Sequence, residues 1–139
     1  MQIGWPTFEG VRRVDEKTRL LRQVHPNHIK NDGEVASIAF KPNDSDAGLL
    51  SVYDGDLATP DASHKHYTEV QKKKSAGVLA VTVEECNTLS LPAVSSPLPD
   101  FDAHAHIDFT GCDKKQERSK SKELLAFAVA RQWLYRPET

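Results

Sequence analysis

The first periodic signal lies in RLLRQVHP, where Leu21 and Gln23 alternate against Leu20, Arg22 and Val24 before His25 and Pro26 close the run. This pattern predicts a strand over Leu20 to Val24, ended by Pro26 because proline has no N–H for the ladder. Asn31, Asp32 and Gly33 form a turn, since Asn and Asp tolerate left-handed geometry and Gly adopts it freely. A second strand is expected over Val35 to Phe40. After a polar loop through Pro42, Asn43 and Gly48, a third is expected over Leu49 to Tyr53, ending at the Asp54-Gly55 turn.

Thr59, Pro60 and Asp61 make a helix start: a side-chain acceptor, a residue without an amide proton, and an acid at the positive end. The helix is expected to run to about Lys72, burying Ala62, His66, Tyr67 and Val70 as one stripe. Gly77 to Val83 is the most apolar short run and predicts a central strand buried on both faces. Thr82 and Glu85 match a capping box, so the strand hands over to a helical turn over Glu84 to Asn87.

SLPAVSSPLPDFD predicts an extended crossing in which Pro97 and Pro99 prevent a regular ladder. Ala105 to Phe109 alternates and predicts a return to the sheet. The last helix starts between Asp113 and Ser119 and runs to about Arg131, with Leu124, Leu125, Ala128 and Val129 as its apolar face. Trp133, Leu134 and Tyr135 form a final short strand or packed tail. These elements predict a single α+β domain: a mainly antiparallel sheet of five or six strands packed against two main helices. Residues 1–18 are expected to be a peripheral extension.

Composition adds mostly exclusions. With 139 residues, 38% hydrophobic and 27% charged, the chain is sized and mixed for one core. No apolar run reaches the roughly 20 residues of a membrane span, and the N-terminus lacks the apolar stretch of a signal peptide, so a cytoplasmic address is expected. A net charge of -2 supplies no global attraction to nucleic acid. Lys72 to Lys74 and the segment from Lys114 to Lys122 remain local basic strips able to touch phosphates, against their reading as solvated helix faces. Cys86 and Cys112 lack a CxxC partner, which disfavours a zinc ribbon or a disulfide scaffold. P-loop, Rossmann and zincin fingerprints do not occur in the sequence.

Candidate chemistry centres on six histidines that fall in pairs: His25 and His28, His64 and His66, His104 and His106. Two residues apart on a strand, His104 and His106 share a face and suit chelation of one metal, with His25, His66 or Asp108 as a third ligand by type. Beside Asp102 or Asp108, the same pair is expected to favour the charged imidazolium. FDAHAHID superficially resembles the H-x-H metal motif of amidohydrolase-like enzymes, but those carry it near the start of a much longer barrel.

From Leu21 to Tyr135, the order LRQVHPNHIKNDGEVASIAFKPN, LSVYDGD, GVLAVTVEEC, PLPDFDAHAHIDF and RQWLYRP resembles a group of small hypothetical bacterial proteins. That likeness implies a bacterial or phage source and no particular chemistry. A looser similarity is to ADP-ribosyltransferase-like toxins, which grip NAD through an early-strand Arg or His, later Ser or Tyr residues and an acidic group. It would cast Arg22, His25 and Ser37 as catalytic residues and Ser51 and Tyr53 as NAD-binding residues, with Glu84 or Glu85 as the acid. This enzyme alternative requires Arg22, His25 and Ser37 to share one concave surface. The leading expectation is a soluble, non-enzymatic bacterial interaction protein with a protein partner, a component of a toxin–antitoxin or phage-defence locus. A metal-binding protein is the second alternative.

Overall fold

A computed structural model of the chain describes residues 16–43, 47–99 and 101–137. Its frame is a five-stranded antiparallel sheet in the order β3-β1-β2-β5-β4. The strands are β1 (Arg19–Val24), β2 (Leu49–Asp54), β3 (Gly77–Thr82), β4 (Ala93–Ser95) and β5 (His104–Asp108). Three helices accompany them: α1 (Pro60–Lys65), α2 (Val83–Thr88) and α3 (Lys114–Arg131). The α+β class and the antiparallel sheet agree with the pattern of the sequence. Of the expected N-terminal extension, residues 1–15 lie outside the described residues. Thr18 is buried and donates its hydroxyl to Asp56 at 2.7 Å.

Alternation sorts the sheet into two faces. Leu20, Val24, Leu50, Val52, Leu79, Val81, Ala105 and Ile107 point toward α3 and form the main core with Phe40, Phe109, Leu124 and Ala128. Leu21, Tyr53, Val78 and Ala80 face the other way and pack with Ala58, Ala103, Phe101, Tyr67 and the C-terminal Leu134 and Tyr135.

Local chemistry fixes the helix starts. Thr59 accepts from the Ala62 amide with Pro60 in the first turn, as the sequence predicts. Thr82 with Glu85 and Asp113 with Gln116 both form complete capping boxes, each meeting two amides that the helix itself leaves without partners. Glu85 also takes Arg131 in a forked pair, at 2.8 Å and 3.1 Å, which ties α2 to the end of α3.

One edge of the sheet is covered and the other is short. The outer side of β3 exchanges backbone bonds with the tail through Val78, Leu134 and Tyr135, Arg131 donates to the Ala80 carbonyl, and the Thr82 amide is held by Glu85. On the opposite edge, β4 has only three residues and lies between Pro92 and Pro97. Short, capped or proline-flanked edges resist addition of a further strand. The tail approaches β3 so closely that a side chain at Gly77 would meet the Tyr135 carbonyl at 2.7 Å, and its φ of +156° adds to the requirement for glycine.

Three expectations from the sequence are corrected. The segment expected as a strand over Val35 to Phe40 forms a 3₁₀ turn over Ser37–Phe40, with only an isolated Ile29–Val35 bridge before it. β1 already has β2 and β3 on its two sides, so it offers no edge, and the turn instead drops Ala39 and Phe40 into the core. The strand expected to be central, β3, is an edge strand. Helices and tail cover both its faces, and continuous apolarity reports that cover rather than the number of strand neighbours. Finally, the helix from Pro60 changes to a π-helical turn over His66–Val70, which shifts the phase of later side chains. Ser63 and His66 are buried, whereas Ala62 is exposed and Val70 is 57% exposed.

Candidate functional site

β1 and β2 pair only at Leu20–Asp54 and Leu21–Tyr53, while β1 pairs with β3 along its whole length. Beyond Leu21 the two strands part. Arg22 spans the opening, donating Nε to the Ala39 carbonyl at 2.7 Å and Nη1 to the Ser51 carbonyl at 2.8 Å. The strand carbonyl of Ser51, which the ladder does not use there, is thereby satisfied by a fixed guanidinium.

The opening is a cleft of about 170 Å³ lined by Arg22, Gln23, Asn43, Ser51, Tyr53, Tyr67, Gln71, Lys73, Leu98 and His104. Among the described residues no carboxylate lines it. Hydrogen bonds hold its walls. Gln23 donates to Ser63 at 3.0 Å and accepts from Ser75 at 2.8 Å, and Tyr53 Oη lies 2.8 Å from His66 Nδ1. His66 stacks on Phe101 at 4.2 Å and 10°, and Tyr53 meets the rings of His66, Phe101 and His104 edge-on.

His104 Nδ1 lies 2.9 Å from the Ser96 carbonyl. A carbonyl only accepts, so Nδ1 carries the proton and Nε2 is the bare nitrogen of the neutral ring. Burial pushes the His104 pKa below its ordinary value, and the neighbouring His66 and Lys73 act in the same direction against the Ser96 carbonyl. His106 is also lowered by burial, which outweighs Asp108. The expectation that a nearby carboxylate would favour the imidazolium is therefore reversed: desolvation exceeds the attraction.

Lys73 reaches the cleft through a chain reversal at the end of the π-turn. The Lys73 amide bonds the Tyr67 carbonyl at 3.1 Å, Lys72 takes a left-handed φ of +59°, and the Lys73 ammonium lies 5.6 Å from the Tyr67 ring centroid.

Of the residues singled out from the sequence, Arg22, Ser51, Tyr53 and His104 meet at this cleft. His25 and Ser37 are not among its lining residues. His25 Nδ1 accepts from the Asn27 amide at 2.9 Å and caps a 3₁₀ turn, and Ser37 opens the next one. Glu85 is committed to its capping box and to Arg131. His104 and His106 share a face, opposite Tyr53 and Ser51 in the register. Among the described residues no group of three His, Cys, Asp or Glu side chains is placed to hold a metal ion. Cys86 and Cys112 are free thiols, and burial pushes Cys86 up to about 12, which keeps it protonated and unreactive. Sequence reasoning did not anticipate Gln23, Gln71, Asn43 or Leu98 in the cleft. Lys73 belongs to a basic strip whose position facing the cleft depends on the π-turn.

On the opposite face, a larger groove of about 650 Å³ runs between α3 and the loop at Gly33 to Val35. Its lining is mainly apolar, with Leu79 as the floor, Leu125 and Val129 on α3, and Trp133 at one end. Val129 is 51% exposed. Lys122 and Glu34 place opposite charges along it. Among the described residues no helix is long and apolar enough to cross a membrane. The chain matches no protein-family model, no curated protein and no solved structure.

Proposed function

We propose that this chain is a non-catalytic interaction protein and that its groove seats an amphipathic helix of a partner protein. The observation that carries the reading is an open apolar groove of about 650 Å³ beside a half-exposed Val129. Apolar patches of this kind, rimmed by polar residues, mark contact surfaces. A helix is favoured over a strand because the β3 edge is covered by the tail and the β4 edge is three residues long between prolines, a poor ladder to extend. Leu125 and Val129 lie four residues apart and form a ridge against which a second helix can pack. Lys122 would set the helix direction by pairing with an acid toward one end, while Glu34 already pairs with Lys30 at 3.7 Å.

The NAD-using alternative receives less support from the geometry. Arg22, Ser51 and Tyr53 share a cleft, but about 170 Å³ falls below the roughly 300 Å³ at which pockets for organic ligands begin.

The test is comparative co-purification from the source cells with the unaltered chain, Val129→Glu and Lys73→Gln. The unaltered chain and Lys73→Gln are expected to retain the same partner, and Val129→Glu to lose it at an unchanged melting temperature. Recovery of the chain alone in every case, or retention of the partner by a folded Val129→Glu, would overturn the proposal.

A further inference from the structure

We infer that the partner helix is acidic along one half of its contact stripe and apolar along the other, and that it docks on a seam of α3 formed by Lys115, Arg118, Lys122, Leu125 and Val129. This rests on the groove being a helix-binding site and goes further by naming what the helix carries. The five positions follow one another at spacings of three, four, three and four residues. Side chains so spaced share one face of a helix and make the seam along which a second helix packs at a shallow angle. The first three are cations, the last two are hydrocarbon, and none is an acid. Leu125 is half-buried and the other four are exposed. The groove takes in Lys122, Leu125 and Val129, so the basic half runs on from its end along α3.

The acids of α3 and of the loop across the groove are engaged or turned away. Asp113 caps the helix, and Glu117 pairs with Lys41 at 3.7 Å beside the 3₁₀ turn. Glu34 pairs with Lys30 at 3.7 Å, and Glu123, next to Lys122 in the chain, lies about 100° round the helix from it. A helix laid on the seam therefore meets positive charge for about two turns and then hydrocarbon. Carboxylates suit the first stretch, and leucine-sized side chains fill the second down to the Leu79 floor. At 1.5 Å per residue the seam is about 21 Å long, which a partner helix of about four turns covers.

The order of residues along the seam selects a helix over other anionic partners. A phosphate backbone would engage the cations and leave Leu125, Val129 and Trp133 in water. A lipid surface takes a helix whose apolar stripe runs its whole length with cations at its flanks, whereas here the two kinds succeed each other on one face. Nor can a planar surface fill a groove walled on its far side by Gly33 to Val35. Exposed ion pairs add modest affinity and fix register and choice of partner, while the apolar end supplies most of the binding.

Fluorescence anisotropy of the full chain with three labelled peptides, each locked as a helix of about four turns, tests the assignment. All carry leucine at the last two positions of a stripe with the seam's spacing, and glutamate, glutamine or lysine at the first three. The glutamate peptide is expected to bind, the glutamine peptide to bind about tenfold more weakly for want of three exposed ion pairs, and the lysine peptide more weakly still. In about 1 M salt the three should converge. With Lys115→Glu, Arg118→Glu and Lys122→Glu combined, the order of the peptides should reverse at a similar melting temperature, because these side chains are exposed. Val129→Glu should weaken all three peptides together. Failure of the glutamate peptide to bind, or tighter binding of duplex DNA or of phosphatidylserine vesicles, would overturn the inference. Equal binding of the glutamate and glutamine peptides, still lost in Val129→Glu, would remove the acidic partner and leave the helix groove standing. Peptide binding that Val129→Glu does not weaken would remove the groove as well.

Discussion

On the α3 side of the sheet, Phe40, Phe109, Leu79 and Leu124 interlock as fully buried hydrocarbon, whereas on the α1 side Gln23, Ser63, Tyr53 and His66 are buried with hydrogen bonds joining them in pairs. The first surface owes its stability to excluded water and close contact, and its energy scales with volume. The second depends on each polar atom keeping its partner, so its energy changes with single atoms and with protons. An apolar face of this kind gives the sheet rigidity. The polar face is where the strands open into a cleft.

The contrast breaks most visibly under core truncation. Phe109→Ala is expected to cost about 3–5 kcal/mol, from lost transfer energy and the cavity left behind. Tyr53→Phe, which removes one oxygen and leaves His66 Nδ1 without that bond, should cost about 1–3 kcal/mol. Urea denaturation of both variants measures the ratio. Equal losses would mean that the two faces are not held by different forces.

Acid should act through the half-buried histidines. His28, His104 and His106 all have pKa values lowered from 6.5, with burial as the largest cause in each case. The folded chain therefore binds these protons less readily than the unfolded chain. Their stabilising contribution is fully present above about pH 6.5 and is lost as pH falls through the lowered folded values. The melting temperature should decline over that window, with a smaller decline in a His104→Gln, His106→Gln double variant.

The smallest effect is expected at Lys72. Its left-handed φ of +59° costs a residue with a Cβ about 1–2 kcal/mol, and glycine removes that penalty while adding freedom to the unfolded chain. Lys72→Gly should gain about 0.5 kcal/mol net in chemical denaturation. A loss of stability would show that the Lys72 side chain contributes more than its backbone geometry suggests.

Much of the local structure was legible because its causes are local. Thr59-Pro60-Asp61, Thr82 with Glu85, and the alternation in β5 each act through residues within a turn or two of one another. The Val35 to Phe40 strand failed for a reason outside the segment, since β1 had no edge left to receive it. The buried stripe of α1 failed because hydrophobicity alone cannot identify Ser63 as a core residue. Its burial depends on Gln23, forty residues away, accepting its place as a partner.

By itself, then, the sequence determined an α+β chain with an antiparallel sheet, its helix starts, most of its strands and the pairing of His104 with His106 on one face. These follow from side-chain period, caps and prolines, which operate over a few residues. Only the tertiary structure decided that β3 lies at an edge, that β1 and β2 part beyond Leu21, and that Arg22, Tyr53, Lys73 and His104 line one cleft. Strand order and the meeting of distant side chains are set by which surfaces can be buried together and which polar groups find partners there. That competition is resolved over the whole chain, and no short window contains it.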